Sequence, residues 1–134
     1  MDWKIVAAVI AAGVVSSFSD WYFMGVLFRG RYVKYPDTWW PRAGQKDETK
    51  PILYSTAIGF VTAAGVIALC ALAGASDFRS ALTVAVIAWA AGPLVVSVTN
   101  GLWIRIDPRV TFAHCLGYLA RFVIAGIAAA LVLG

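Results

Sequence analysis

Charged residues are scarce in this sequence. Lys, Arg, Asp and Glu make up 13% of its 134 residues, whereas hydrophobic residues make up 61%. Soluble domains contain about 25% charged residues and about 45–50% apolar residues. The shortage of charge therefore excludes an ordinary soluble domain and indicates a protein that lies in a membrane.

Cysteines and catalytic motifs are also sparse. The only cysteines are Cys70 and Cys115. We expect them at different depths of the predicted bundle, too far apart for a disulfide. No Cys-x-x-Cys or other metal-ligand spacing occurs, so we expect no metal and no cofactor. The chain also lacks a nucleophile motif, a glycine-rich phosphate loop and paired carboxylates in its apolar segments. This pattern disfavours an enzyme and leaves no candidate catalytic residue.

Four long apolar segments dominate the chain, at residues 4–28, 52–75, 81–104 and 112–133. A membrane-spanning helix needs about 20 mostly apolar residues, and each segment meets this condition. We predict an all-α fold, an integral membrane bundle of four transmembrane helices, formed by a single domain over 1–134. The start of the first segment resembles a signal peptide. However, apolar residues continue through Phe28, so we expect this segment to remain as a span.

Basic residues are distributed unevenly among the connections. Loop 29–50 contains six of them, and loop 105–111 contains Arg105 and Arg109, whereas the opposite side has only Lys4 and Arg79. Lys and Arg accumulate in the cytoplasmic loops of membrane proteins. We therefore predict that both basic loops are cytoplasmic and both termini extracytoplasmic. The expected location is a bacterial cytoplasmic (inner) membrane, which the chain crosses several times.

Loop 29–50 begins with alternating basic and aromatic residues. Such residues suit the headgroup region of a bilayer, where aromatic rings sit at the interface and cations reach phosphates. Nucleic-acid binding would use a similar composition, but the flanking spans favour the bilayer as the partner. The predicted lipid-interface residues are Arg31, Tyr32, Tyr35, Trp39 and Trp40.

Two charged residues fall inside the spans. Asp20 lies nine residues before Arg29, where the first span ends, and Arg121 lies nine residues after Phe112, where the fourth span begins. The two helices are antiparallel, so these two ends lie on the same side of the membrane. At about 1.5 Å per residue, both charged residues lie roughly 13–14 Å deep. Insertion of either charged side chain into the bilayer without a partner would cost about 2.5–3.5 kcal/mol. We therefore predict an intramembrane ion pair between Asp20 and Arg121.

Other polar residues lie near the same level. His114, Tyr118 and Arg121 share one face of the fourth helix because of their i, i+4 and i+7 spacing. We predict a polar pocket that opens inward beneath the ion pair, with five further candidate residues: Ser17, Ser97, Asn100, His114 and Tyr118. In the third segment, Pro93 follows Gly92, and a proline at this position predicts a kink.

The chain resembles a family of small bacterial membrane proteins called domain of unknown function 1761. The resemblance rests on SDWYFMGVLF followed by RGRY, on SVTNGLW, and on FAHCLGYLARFVIAGIAAAL. It implies four helices and no assigned activity. Asp20 and Arg121 depart from the family pattern. The residues that carry the resemblance are Trp21, Tyr22, Asn100, Gly117 and Tyr118.

These observations leave several functions open. The favoured hypothesis is a small-molecule binding or transport module with an inward-facing polar pocket. The alternative is a structural or accessory subunit of a membrane complex, in which the Asp20–Arg121 pair serves helix packing. A membrane enzyme that holds an anion at Arg121 is less favoured. The expected partners are the lipid bilayer, further copies of the chain or a larger membrane complex, and a small-molecule or lipid ligand of unknown identity. No nucleic-acid partner is expected.

Overall fold

Four long helices form the fold, as predicted. The computed structural model describes residues 2–32, 34–38 and 48–134. Within these residues the chain contains helices and no strands. The four helices are long and apolar enough to cross a membrane: span 1 (Trp3–Leu27), span 2 (Thr49–Leu72), span 3 (Phe78–Trp103) and span 4 (Pro108–Leu133). The predicted fold class, an all-α membrane bundle, is therefore confirmed.

Three of the spans begin with an aspartate cap. Asp2, Asp77 and Asp107 each accept a hydrogen bond from a backbone N–H of the first helical turn. Such a side chain satisfies one of the amide groups that have no partner within the helix. Spans 3 and 4 begin directly after their caps, at Phe78 and Pro108, which is three and four residues earlier than predicted.

Spans 1 and 3 each contain a π-helical stretch, in which the turns are wider than in an α-helix. Span 1 is α-helical over Trp3–Asp20 and π-helical over Trp21–Leu27, while span 3 contains a π-helix over Ala90–Leu94. Pro93 lies inside the second stretch. Proline has no N–H and crowds the preceding turn, and the wider turn accommodates it. The irregularity predicted at Pro93 thus takes the form of a π-helix.

Span 4 is the common partner of the other three helices. It packs against spans 1, 2 and 3, whereas span 1 also contacts span 2, and span 2 contacts the first half of span 3. Most of the shared core consists of small side chains: Ala8, Ala12, Ala63, Ala81, Ala85, Ala125 and Ala129. Small residues let helix backbones approach closely and are typical of helix contacts in membranes. This core lies in the half of the bundle farther from loop 29–50.

Large apolar side chains cover the outside of the bundle. Leu72 is 87% exposed, Leu131 68% and Val61 69%. A soluble protein of this size does not expose so many large apolar residues together. The surface suits hydrocarbon as the surrounding medium, in agreement with the length and composition of the four spans.

The short segment after span 1 is also partly helical. Arg29–Tyr32 forms one α-helical turn, and Pro36–Thr38 forms a 3₁₀ turn. Residues 39–47, which include the predicted interface residues Trp39 and Trp40, lie outside the described residues.

Candidate functional site

Asp20 and Arg121 form a two-point ion pair between spans 1 and 4. The Nε of Arg121 donates a hydrogen bond to Oδ1 of Asp20 at 2.8 Å, and Nη2 donates to Oδ2. The side chains are 22% exposed for Asp20 and 11% for Arg121. Parallel hydrogen bonds between a guanidinium and a carboxylate are strong and fix the orientation of both groups.

Two glycines leave room for this pair. A Cβ atom at Gly59 of span 2 would lie 3.7 Å from Nη1 of Arg121. A Cβ atom at Gly117 of span 4 would lie 3.9 Å from Oδ1 of Asp20 and 3.3 Å from Cε of Met24. Larger side chains at these positions would meet the charged groups. The pair is therefore framed by spans 1, 2 and 4 together.

One nitrogen of the Arg121 guanidinium takes no part in the ion pair and can still donate a hydrogen bond. Its Nε and Nη2 bind Asp20, whereas Nη1 makes no hydrogen bond with the described residues. No fully buried side-chain nitrogen or oxygen of the described residues lacks a partner. Nη1 is therefore not fully buried, and Arg121 is one of the residues that line a cavity. A guanidinium N–H in this setting is a strong donor for an oxygen acceptor.

A cavity of about 490 Å³ lies beneath the ion pair. Its wall combines a mostly apolar surface with charged groups at both ends. The lining residues are Ser17, Asp20, Trp21, Met24 and Gly25 of span 1, Arg29, Tyr32 and Glu48 beside the spans, Ile52, Ser55 and Thr56 of span 2, and His114, Gly117, Tyr118 and Arg121 of span 4. Of the five predicted pocket residues, the structure thus brings Ser17, His114 and Tyr118 together.

Aromatic rings form one wall of the cavity. The ring centroids of Tyr32 and His114 are 5.8 Å apart, and those of His114 and Tyr118 are 6.4 Å apart. The guanidinium carbon of Arg121 lies 5.7 Å from the centroid of Tyr118, within the range of a cation–π contact. The Tyr118 ring thus connects this aromatic wall to the ion pair.

Tyr32 faces the cavity, although the sequence predicted it at the lipid interface. Its hydroxyl donates to the sulfur of Met24, and its side chain lines the cavity. Burial, together with the nearby Tyr118 and Asp20, raises the pKa of Tyr32 above its usual range. The single helical turn Arg29–Tyr32 directs this ring back toward spans 1 and 4, which explains the difference.

A second ion pair crosses the end of the cavity nearest loop 29–50. Nη2 of Arg29 lies 2.8 Å from Oε1 of Glu48, with 43% and 26% of the two side chains exposed. The hydrogen bond to Glu48 raises the pKa of Arg29. Among the described residues, the cavity lining thus contains two acidic and two basic side chains, and each is part of an ion pair.

Ser97 and Asn100 do not belong to this site. Ser97 is buried within span 3, and Asn100 is exposed. Span 3 packs on a different face of span 4, where the indole Nε1 of Trp89 donates to the carbonyl oxygen of Cys115 at 3.0 Å. The polar residues at the end of span 3 therefore lie away from the cavity.

A separate basic and aromatic cluster lies at the ends of spans 3 and 4. Nζ of Lys34 lies 5.2 Å from the centroid of the Tyr35 ring, and the guanidinium carbon of Arg105 lies 4.8 Å from it. Lys34 also pairs with Asp107 at 3.3 Å. A hydrogen bond from the backbone N–H of Arg109, and then Lys34, lower the pKa of Asp107. Arg31 is exposed nearby. The lipid-contact role of Arg31 and Tyr35 stays a prediction.

Several residues of the cavity were not predicted from the sequence. Arg29 and Glu48 are 19 positions apart, and no periodic pattern connects residues across such a loop. Ser55 and Thr56 are small polar residues in an apolar segment, which in sequence resemble ordinary helix-contact residues. Met24 lies on the same helical stripe as Asp20, and this spacing was the one available signal.

Four apolar spans, three of which enclose a cavity with ion pairs at both ends, define this chain as an α-helical membrane protein. The family model described as "Protein of unknown function (DUF1761)" matches residues 7–130, and the chain belongs to this family. The resemblance noted in the sequence is thus confirmed. No curated protein and no solved structure matches the chain. Among the residues that carried the resemblance, Trp21, Gly117 and Tyr118 line the cavity.

Proposed function

We propose that this protein is a binding module that holds a small molecule in the cavity beneath the Asp20–Arg121 pair. The observation that carries this proposal is the position of the pair on the wall of a cavity of about 490 Å³. An ion pair that served packing alone would be enclosed by the helices. Here Arg121, whose Nη1 makes no hydrogen bond with the described residues, lines a space large enough for a ligand.

The shape and chemistry of the cavity support the same proposal. Small-molecule sites commonly measure about 300–1,000 Å³ and combine apolar walls with a few polar groups. Ionisable residues inside the membrane often mark binding sites or transport pathways. The lining matches this description, with Arg121 and Asp20 at the deep end and the rings of Tyr32, His114 and Tyr118 along one side.

The orientation that we propose follows from the basic loops. Loop 29–50 and the Arg105–Arg109 segment face the cytoplasm, so both termini are extracytoplasmic and the cavity lies in the cytoplasmic half of the bundle. The alanine-rich contacts among the spans close the opposite half. Such an arrangement corresponds to the inward-facing state of a binding or transport module in a bacterial inner membrane.

A structural role is the second candidate function. The two-point contact between Asp20 and Arg121 joins spans 1 and 4 at one defined register. A buried ion pair can specify which helices pack together even when it adds little net stability. In this role the protein would serve as an accessory subunit, and its exposed apolar faces would contact further copies of the chain or another membrane protein.

Ligand-dependent thermal stability in a nonionic detergent tests the proposed function. The probes are phosphate, acetate, decanoate, decylamine and methyl decanoate, which differ in charge and chain length. We expect at least one probe to raise the melting temperature of the parent protein. Replacement of Thr56 by Phe, which fills the cavity, should abolish this increase. Leu53→Phe is the matched control, because Leu53 is 64% exposed on the outside of the same helix.

The outcomes of this experiment separate the two candidates. A stabilising probe that acts on the parent and on Leu53→Phe, but not on Thr56→Phe, supports a binding module. If no probe stabilises the parent protein, the binding proposal is wrong and the structural role is favoured. Equal stabilisation of all three proteins would also contradict the proposal, because the probe would then act outside the cavity.

A further inference from the structure

The side of the cavity between spans 1 and 2 is open to the outside of the bundle. Trp21 lines the cavity and is 64% exposed, and Ile52 lines it and is 57% exposed. Gly25 and Ser55 also line the cavity and are exposed. All four residues belong to apolar spans, so this gap faces the surrounding hydrocarbon.

Spans 1 and 2 pack closely along the α-helical part of span 1, before this level. Farther from loop 29–50, Gly13 of span 1 lies directly against the ring of Phe60 of span 2, and Ala12 and Ala63 are buried. Span 1 becomes π-helical from Trp21 onward, where the gap begins. π-Helical segments often occur at functional sites. The gap is therefore a local feature of one end of the helix pair.

The aqueous end of the same cavity is crossed by a side-chain contact. Arg29 and Glu48 meet at 2.8 Å between the end of span 1 and the start of span 2. A ligand from water would enter beside this ion pair, whereas a molecule dissolved in the bilayer would meet Trp21, Gly25, Ile52 and Ser55 directly. The geometry favours access from the side.

The charges of the described lining residues balance. Asp20 pairs with Arg121, and Glu48 pairs with Arg29, so the four charged lining residues carry no net charge. A charged ligand would lose its hydration without a free counter-charge among the described lining residues, which is costly in a medium of low polarity. An uncharged ligand avoids this cost.

The free donor defines the polar group of the ligand. Nη1 of Arg121 can donate hydrogen bonds from its N–H groups but cannot accept one. Its natural partner is an oxygen acceptor such as the carbonyl of an ester, ketone or quinone. A carbonyl oxygen can bind Nη1 while Asp20 keeps its two contacts with Nε and Nη2.

We infer that the ligand is an uncharged, lipid-soluble molecule that carries a carbonyl oxygen, and that it reaches Arg121 from the bilayer through the gap between spans 1 and 2. This inference rests on the proposed function and specifies its substrate class. The carbonyl accepts a hydrogen bond from Nη1, and the apolar part of the molecule lies against Trp21, Met24 and Ile52.

Photo-crosslinking in phosphatidylcholine vesicles tests this inference. The probe is the methyl ester of a long-chain fatty acid with a diazirine in mid-chain, and its matched control is the free acid of the same chain. Specific labelling is the labelling that excess methyl oleate removes. We expect the ester to label peptides of the cavity specifically, and the acid to do so at least tenfold less.

Two pairs of variants locate the site and its entrance. Gly59→Leu should cover Nη1 and reduce specific labelling roughly tenfold or more, since a hydrogen bond to a charged donor contributes about that factor. Gly59→Ala should retain labelling, because its Cβ makes only an ordinary contact at 3.7 Å. Ser55→Trp should narrow the gap and reduce labelling, whereas Leu53→Trp, on the outer face at a similar depth, should not.

Each alternative result has a distinct meaning. Specific labelling by the acid at the level of the ester would overturn the assignment of an uncharged ligand. Undiminished ester labelling of Ser55→Trp would overturn the lateral route. If neither lipid probe labels the cavity while a water-soluble probe still stabilises the parent and not Thr56→Phe, the substrate class is wrong and the proposed function stands. If no probe of either experiment binds, both fail.

Discussion

Phe60 of span 2 occupies the space that a side chain at Gly13 of span 1 would need. A Cβ atom at position 13 would lie 2.3 Å from Cδ1 and 2.5 Å from Cε1 of the Phe60 ring. This contact brings spans 1 and 2 together above the cavity. It also makes Gly13 a sensitive position for the stability of the helix pair.

Gly13→Ala should destabilise the protein. Alanine is favoured over glycine by about 1 kcal/mol within a helix, but the overlap with Phe60 forces the ring or the helix to move. Overpacking typically costs about 1–3 kcal/mol, so the melting temperature in detergent should fall. Gly65→Ala is the control, because its added Cβ would lie in open space. A variant Gly13→Ala as stable as Gly65→Ala would contradict this prediction.

Neutralisation of Asp20 alone or of Arg121 alone should lower the free energy of unfolding more than neutralisation of both. Removal of one partner of a fully buried pair costs about 3–5 kcal/mol, and the partial exposure of Asp20 and Arg121 reduces this to about 2–3 kcal/mol. We expect Asp20→Asn and Arg121→Gln each to lower the melting temperature, and the double variant to recover much of the loss.

Arg79→Gln serves as the control for this series because Arg79 is exposed outside the bundle core. Recovery in the double variant would indicate that the unpaired charge, and not the loss of a specific contact, causes the destabilisation. Single variants as stable as the parent protein would show that the pair contributes nothing to folding.

Acid should weaken the cap of span 3. Ser80 donates to Asp77 from its hydroxyl at 2.6 Å and from its backbone at 3.1 Å, and these hydrogen bonds lower the pKa of Asp77 below 3.8. A carboxylate whose pKa is lower in the folded protein adds stability above its unfolded pKa. That stability is lost as the pH falls through the folded pKa.

The measurement is the melting temperature of the parent and of Asp77→Asn as the pH is lowered from about 6 to about 2. Asparagine can still cap the helix but does not titrate in this range. The parent should lose more stability than Asp77→Asn as the pH falls below about 4. Parallel curves for the two proteins would show that Asp77 does not contribute to the acid response.

Trp89→Phe should destabilise the contact between spans 3 and 4. The substitution removes the hydrogen bond from the indole Nε1 to the carbonyl of Cys115, at a cost of about 0.5–1.5 kcal/mol. Trp103→Phe provides a matched control at the end of the same helix, because Trp103 is 85% exposed. An equal effect of both substitutions on the melting temperature would argue against a structural role for the Trp89 bond.

The spans and the ion pair could be predicted from sequence because both depend on one-dimensional quantities. Apolar length determines the spans. The equal depth of Asp20 and Arg121 follows from counting residues along two antiparallel helices. The contact between them then needs only that spans 1 and 4 are neighbours, and the structure places them together.

The residues that line the cavity could not be predicted by counting positions along the helices. Ser97 and Asn100 lie at a suitable depth, but depth does not reveal which face of span 4 receives span 3. The short turn after span 1 reverses the direction of Tyr32, and the Arg29–Glu48 pair forms across a loop. Helix rotation and loop conformation determine these positions, and neither is encoded in hydropathy.

The position of span 4 has a consequence for biosynthesis. The helix that contacts all three others is the last of the four to leave the ribosome, and Arg121 follows Asp20 by 101 residues. At a synthesis rate of about 5–20 residues per second, roughly 5–20 s pass between the synthesis of Asp20 and that of Arg121. During this interval span 1 must reside in the insertion machinery, near water, or in the bilayer with an unmatched charge. Final assembly of the bundle is therefore a late event, which begins when the fourth helix is released.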